Sequence, residues 1–369
     1  MPDLILVTGG AGFIGSHLVA ALLARGDRVR VLDDFSTGHR ENLAGSVADV
    51  ELIEGDVRDA DTVAHAVTGC AGVLHEAAVA SVTRSLEDPV GADSITHGGT
   101  VNVVNHARRA GARALVLASS CAVYGDTDEL PIAEETMPRP LSPYALAKVL
   151  AEAACRAASQ SVGRGAGLRT ACLRYFNVYG PRQDPSSEYS GVIARFLDVA
   201  AARAVWRGRD GAERDAVHGR RRDAAPSYVV YGDGRQSRDF VFVEDVVAAN
   251  LLALDACLDD APGVDGAVFN VGTGRRVDLL EVIAEVERLA AGPRPTGDAA
   301  HAGGPVAAGA PISWRPARGG DIRASQADIS RAHRLLRYAP ATGLADGLAA
   351  TYSWNVSRGG GAAAGARVS

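Results

Sequence analysis

Short apolar runs alternate with amphipathic stretches through the first 180 residues. LILVTG (4–9), RVRVLDD (28–34), VELIEGD (50–56), GVLHEAA (72–78), ALVLASS (114–120) and TACLRYFNV (170–178) read as strands. Between them, GSHLVAALLARG (15–26) and TVNVVNHARRAG (100–111) carry helical spacing. Such alternation predicts an α/β fold, a Rossmann-like doubly wound parallel sheet covered on both faces. FVFVEDVVAANLLALDAC (240–257) and AVFNVGTG (267–274) read as a further helix and strand of the same lobe. The expected division is a sheet domain over 1–180 plus about 240–274, with a smaller C-terminal lobe from 181–239 plus 275–355. Three segments are expected to be loosely ordered: the charged 203–227, the Gly/Ala/Pro-rich 291–311, and a disordered tail over 356–369.

Composition narrows the class. A chain of 369 residues can bury one large core or two lobes. A net charge of −6 argues against an extended nucleic-acid surface, and Asp215 and Asp223 flank the one basic cluster, Arg220–Arg222. The five cysteines (Cys70, Cys121, Cys155, Cys172, Cys257) form no CxxC and read as small buried hydrophobes in a reducing cytoplasm. Nine scattered histidines without ligand spacing give no metal site. Asp3 and four interrupting glycines rule against an export signal, and no apolar run reaches the roughly 18 residues of a membrane span. A cytoplasmic protein without nucleic-acid or membrane partners is expected.

Candidate chemistry begins at Gly9-Gly10-Ala11-Gly12-Phe13-Ile14-Gly15, between the first strand and the first helix. Glycine permits positive φ and close approach of the backbone to a pyrophosphate, which the helix N-terminus then attracts. The second strand ends in Asp33, 18 residues beyond Gly15, where an acid meets the adenosine ribose of a dinucleotide. A carboxylate there repels a 2′-phosphate and so favours NAD over NADP. Asp56 and Val57, after the third strand, are placed to meet the adenine, and Ala77 and Ala78, after the fourth, to leave room for the cofactor.

SPYALAK (142–148) reads as a helix start, with Ser142 as N-cap and Pro143 in the first turn. Tyr144 and Lys148 then share a face one turn apart. A free tyrosine with pKa near 10 is a poor base. A nearby ammonium, with the positive ring of an oxidised nicotinamide, favours phenolate. SSCAVYG (119–125) ends the fifth strand, so the Ser120 hydroxyl reaches the same alcohol as Tyr144.

Jointly, TGGAGFIGSHL, SSCAVYGD, SPYALAK, RYFNVYGPRQDP, YGDGRQSRDFVFVEDV and RGGDIRASQADISRA resemble the extended short-chain dehydrogenase/reductases, specifically the UDP-hexose 4-epimerases. The resemblance runs from about residue 4 to 354, with both long inserts outside it. It implies a catalytic set of Ser120, Tyr144 and Lys148 acting with tightly held NAD on the sugar C4 hydroxyl. It implies cofactor contacts at Gly9, Gly12, Phe13, Ile14, Gly15, Asp33, Asp34, Ser36, Thr37, Gly38, Asp56, Val57, Ala77, Ala78, Thr96, Tyr144, Lys148 and Phe176. Asn177, Val192, Val230 and Tyr231 would hold the nucleotide-sugar with Ser120 and Tyr144; Arg238 and Arg318 would meet the diphosphate, and Asp321 the uridine ribose. Thr96 replaces a usual asparagine and has shorter reach. Ser325, seven residues beyond Arg318, stands where strict glucose/galactose enzymes carry tyrosine, which leaves space for a 2-acetamido group.

The resemblance also implies a homodimer through helices near 96–110 and 144–162, the second with an Ala151/Ala154/Ala158 face. A 4,6-dehydratase would need an acid/base pair where the chain has Ser120-Cys121-Ala122. A UDP-glucuronate-processing enzyme fits RYFNVYGPRQDP less well, and the intact Ser120, Tyr144 and Lys148 speak against a silent NAD-binding scaffold.

Overall fold

The computed structural model describes residues 2–46, 48–160, 167–184, 191–208, 226–291, 311–317 and 322–365. Seven parallel strands form one sheet: β1 (Leu4–Thr8), β2 (Arg28–Asp33), β3 (Val50–Glu54), β4 (Gly72–His75), β5 (Ala114–Ser120), β6 (Arg169–Tyr175) and the strand Ala267–Val271. Their spatial order is β3-β2-β1-β4-β5-β6 and then Ala267–Val271. The chain reverses direction across the sheet between β1 and β4. The carboxyl ends of those two strands therefore open a crevice, the place where such sheets bind ligands.

The alternation of side chains explains the near-continuous apolar strands. Ile5 and Val7 of β1 face one core, which contains Leu18 and Leu22 of α1 (Phe13–Arg25) and Val246 and Leu254 of the helix Val243–Leu258. Leu4 and Leu6 face the other, with Val63 of α2 (Ala60–Val67), Val103 of α5 (Gly99–Ala110) and Ala151 of α6 (Pro143–Gln160). A strand covered on both sides needs apolar residues at every position. Two short helices, α3 (Val82–Glu87) and α4 (Pro89–Asp93), precede α5 and pack on α6.

Several elements end elsewhere than expected. The run 170–178 is not one strand: β6 stops at Tyr175, and a separate strand covers Asn177–Tyr179. The Phe176 N–H turns away to Val271 O at 2.9 Å, and the Asn177 N–H to Asp239 O at 3.0 Å. The run 240–257 divides into a strand, Phe240–Phe242, and the helix Val243–Leu258.

The chain forms two compact units. The first comprises Met1–Val178, Asp239–Arg275 and Ser325–Thr342. The last of these segments was expected in the smaller lobe. It returns because buried Asp239 accepts the N–H groups of Ala327, Thr273 and Gly274 at 2.8–3.1 Å, while Asp328 N donates to Ile132 O. Helix Ser330–Leu336 then adds Ala332 and Leu336 to the first core.

The second unit comprises Tyr179–Arg238, Arg276–Ala324 and Gly343–Ser369. Tyr228–Tyr231 pairs with Ile312–Arg315, and Ser237–Arg238 with Val277–Asp278. Its interior holds a buried ion pair, Arg203 to Glu287 at 2.8 Å, and the Tyr228 hydroxyl donates to the same Glu287 oxygen at 2.7 Å. A capping box of Asp278 and Glu281 starts the helix Leu279–Ala290.

Residues 203–208, expected to be loose, complete the helix Val192–Gly208, and the strand Tyr228–Tyr231 begins at the other end of that segment. The remainder, 209–225, lies outside the described residues, as does 292–310. The expected tail is helical as far as Gly365, in the helix Leu344–Gly365. Propagating an existing helix is cheap, and alanine is the best helix former. No described helix is long and apolar enough to cross a membrane.

A buried polar cluster ties the sheet to α6. Arg174 of β6 donates from Nε and Nη2 to the two carboxylate oxygens of Glu152, at 2.8 and 2.7 Å, and Ser119 donates to Glu152 Oε1 at 2.5 Å. The side chains of Arg174 and Glu152 are 3% and 5% exposed, so neither charge has water as an alternative partner. Removing one member of such a pair typically costs about 3–5 kcal/mol. Glu152→Ala is expected to lower unfolding free energy by about that amount in urea titrations with an unchanged m-value. A loss below about 1 kcal/mol would show that the cluster does not brace the fold.

Candidate active site

The glycine loop is built for close approach. Gly9 has φ +69°, and a Cβ there would lie 2.8 Å from Ala77 N. A Cβ on Gly15 would lie 2.1 Å from Gly9 O, so only glycine lets the start of α1 press onto the loop. Gly12 precedes α1 with no side-chain cap, and the first turn holds no acid. The unpartnered N–H groups there, near Phe13 and Ile14, suit an anionic diphosphate.

Asp33 ends β2 beside this loop. Its Oδ2 accepts Ala11 N–H and its Oδ1 accepts Phe35 N–H, both at 2.8 Å. Burial pushes its carboxyl up, and those two N–H groups pull it back down. Each oxygen keeps a lone pair for a ribose hydroxyl. Gly38 packs against Ala11 and Asp33, while Asp34 Oδ1 accepts the N–H and hydroxyl of Ser36; Thr37 is exposed. These features fit a dinucleotide with a free 2′-hydroxyl.

Other expected cofactor residues are differently engaged. Asp56 is bound by Arg58, whose side-chain hydrogen bonds hold its carboxyl below the usual range. Val57 is buried, and its carbonyl accepts Asn102 Nδ2 at 2.8 Å. Phe176 packs its ring near Tyr124, with centroids 6.5 Å apart, in a core cluster with Ile132 and Ala327. Thr96 is buried in a π-helical turn, Ser94–Gly98, and its hydroxyl accepts Val79 N–H at 3.2 Å, which leaves its proton to donate. Such turns recur at functional sites. Ala77 and Ala78 are partly accessible after β4.

Ser120, Tyr144 and Lys148 come together at the carboxyl end of β5. Ser142 caps α6 as expected, accepting Ala145 N–H at 3.2 Å. Lys148 is 4% exposed, and its Nζ donates to Ala118 O at 2.6 Å, with the ammonium 6.0 Å from the centre of the Tyr144 ring. Burial pushes the Tyr144 phenol up to about 12, against a lowering hydrogen bond from Ser120. The ammonium was expected to act together with the positive ring of an oxidised nicotinamide; in the chain by itself, desolvation is the largest effect on the phenol.

Sequence reading missed three groups, His75 and Glu152, which are buried, and Glu76, which is half-buried. His75 is locked in one tautomer: the Thr100 hydroxyl donates to Thr96 O, so it accepts from His75 Nε2 at 3.0 Å, and Nδ1 accepts from Thr8 at 2.6 Å. Burial, with Lys148 nearby, pushes this imidazole down to about 3. Glu152 and Glu76 are the others. A signal for the site was present: Lys148 is the only lysine in the chain, although lysine and arginine together number 38.

The remaining expected residues divide between the units. Asn177 and Ser325 belong to the first, where Ser325 is 5% exposed and its hydroxyl has no hydrogen-bond partner among the described residues. Val192, Val230, Tyr231 and Arg238 belong to the second, where Val230 is fully buried and Arg238 Nη1 donates to Ser237 O at 3.0 Å. Arg318 and Asp321 lie outside the described residues.

The profile of the NAD dependent epimerase/dehydratase family matches residues 5–272, and the chain belongs to that family. A UDP-glucose 4-epimerase of Mycolicibacterium smegmatis is 35% identical over 94% of this chain and 96% of its own length. A UDP-N-acetylglucosamine 4-epimerase from Methanobrevibacter ruminantium M1, solved with UDP-N-acetylmuramic acid, superposes with a TM-score of 0.79 at 29% identity, covering 97% and 99% of the two chains. The Thermus thermophilus UDP-glucose 4-epimerase, solved with NAD, gives 0.73 at 33% identity over 96% and 99%.

Gly15→Ala is expected to strip most of the NAD that co-purifies with the protein, measured by acid release and enzymatic assay. Wild-type NAD content in that variant would show that close loop packing is not what holds the dinucleotide.

Proposed function

We propose that this chain interconverts the C4 epimers of UDP-hexoses, on UDP-GlcNAc/UDP-GalNAc and also on UDP-Glc/UDP-Gal. The observation that carries this reading is the meeting of Ser120, Tyr144 and Lys148 beside the β1/β4 crevice. NAD, which the glycine loop 9–15 and Asp33 would hold, would supply a reversible hydride acceptor for sugar C4. Tyr144 takes the C4 hydroxyl proton on oxidation and gives it back on reduction. Ser120 hydrogen-bonds the same oxygen, and Lys148 supplies a cation to the phenolate. We assign Asn177, Val192, Val230, Tyr231, Arg238, Arg318 and Asp321 to the UDP portion.

The fold alone does not choose among nucleotide-sugar enzymes. Elimination of a 6-hydroxyl needs an acid that Cys121 and Ala122 do not provide. Ser325 supports the acetamido reading: it is small, and its buried hydroxyl is free to bond a ligand.

Chromatographic assays on all four sugars are expected to show turnover of the acetylated pair, and activity on UDP-glucose alone would sink that part of the reading. Ser325→Tyr should depress acetylated-sugar turnover first. Tyr144→Phe should keep bound NAD and lose about 10²–10⁴-fold in rate.

The protein is further proposed to be a homodimer. Ala151 and Ala158, offered for that contact, instead pack into the chain's own core. The outward stripe of α6 is Leu146, Leu150, Ala153 and Ala157, flanked by exposed Leu86 and Val90 of α3 and α4. An apolar solvent face on a helix marks a partner surface. Light scattering should give twice the chain mass for the wild type and the single-chain mass for Leu150→Glu; a monomeric wild type would overturn the assignment.

A further inference from the structure

Arg182 ends the run RYFNVYGPR, and the proposed chemistry does not use it. The Gln183 N–H donates to Gly180 O at 3.4 Å, which closes a four-residue turn, and Arg182 within it has φ +68°. Pro181 holds its own φ negative. A turn with proline second and a positive φ third is of type II, and its third position favours glycine or asparagine. An arginine there is strained, because its Cβ crowds the backbone in the left-handed region. Arg337 shares that conformation, but at the end of the helix Ser330–Leu336, where it is common.

The side chain is as unusual as the backbone. It is half-buried, and its Nη1 is shielded from solvent with no hydrogen-bond partner among the described residues. Burial alone pushes its guanidinium below the ordinary arginine range. Arg30, Arg174 and Arg203, the buried arginines among the described residues, are all paired. Arg30 meets Glu51 at 2.8 Å, Arg174 meets Glu152 at 2.7 Å and Arg203 meets Glu287 at 2.8 Å. A guanidinium does not shed its charge by losing a proton, so it needs an anion wherever water is withdrawn.

We propose that Arg182 is a substrate-binding residue whose guanidinium takes the diphosphate of a UDP-sugar. The identity of that anion rests on the UDP-hexose reading; the strained turn and the shielded Nη1 stand apart from it.

Chemistry and chain position select the diphosphate. A planar fork of N–H groups matches two phosphate oxygens at once. Asn177 and Val192, assigned to the UDP portion, lie five residues before Arg182 and ten after it. The Asn177 N–H donates to Asp239 O at 3.0 Å, so the segment leading to Arg182 is fastened to the residue that follows Arg238, itself assigned to the diphosphate. The NAD diphosphate has its own seat at the start of α1, where Gly12 brings no side-chain cap to the first N–H groups. Backbone strain persists at binding residues because it sets the side chain in place before the ligand arrives.

Arg182→Gly removes the charge and relieves the backbone together. The NAD-loaded variant should melt at or above the wild-type temperature. Its Kd for UDP, by titration calorimetry, should rise about tenfold or more, as for a lost charge-assisted hydrogen bond. Its Kd for uridine, which lacks phosphate, should stay within about twofold of the wild type. Arg182→Lys keeps the charge and loses the fork, so its Kd for UDP should fall between the two. Wild-type affinity for UDP in Arg182→Gly would overturn the proposal. So would an equal loss for UDP and uridine, which marks a displaced loop, or a melting temperature lowered by more than about 4 °C, which assigns the guanidinium to bracing the fold. A selective loss of UDP affinity in a protein that turns over no UDP-hexose would leave Arg182 on the diphosphate and refute the epimerase reading instead.

Discussion

The two-pronged contact between Arg174 and Glu152 links the three elements that carry the chemistry. Arg174 lies on β6, Glu152 on α6 one turn beyond Lys148, and Ser119, the third member, next to Ser120 on β5. Strand side chains alternate in direction, so Ser119 can anchor the strand from one side while Ser120 serves the crevice from the other. Fixing α6 in rotation and height also fixes where Tyr144 and Lys148 emerge. The cluster carries balanced charge and satisfied hydrogen bonds, which a buried ionic group requires.

Strands were legible from the sequence because a two-sided parallel sheet demands unbroken apolar runs, as in LILVT and ALVLASS. Where elements ended was less legible. Phe176 leaves β6 to bond Val271, nearly a hundred positions away, and nothing local announces that partner. The return of Ser325–Thr342 to the first unit depends on Asp239 collecting four donors from two distant segments. In α6, alanine occurs on every face, so sequence alone could not separate the buried Ala151 and Ala158 from the exposed Ala153 and Ala157.

The site shows the same division. The glycine loop, the acid of β2 and the Tyr144/Lys148 spacing are local patterns and were readable as such. The electrostatic state of the phenol was not, because it depends on how deeply the fold surrounds it. Glu76 was invisible for a related reason: in GVLHEAA it looks like a strand-end acid facing water, and only the tertiary structure brings the Tyr175 hydroxyl to it. Family membership and NAD dependence come from residues that any member of the family needs. The choice of sugar depends on single positions such as Ser325.

Thirty-seven arginines and one lysine have a consequence for the outside of the molecule. Guanidinium groups hold their protons well past pH 11. The surface therefore keeps its arginine cations while the medium turns alkaline, and above about pH 9 its electrophoretic mobility changes chiefly as phenols and thiols ionise. Amine-directed reagents, cross-linkers and affinity resins find no lysine on the outside, because the one side-chain amine is buried against the carboxyl end of β5.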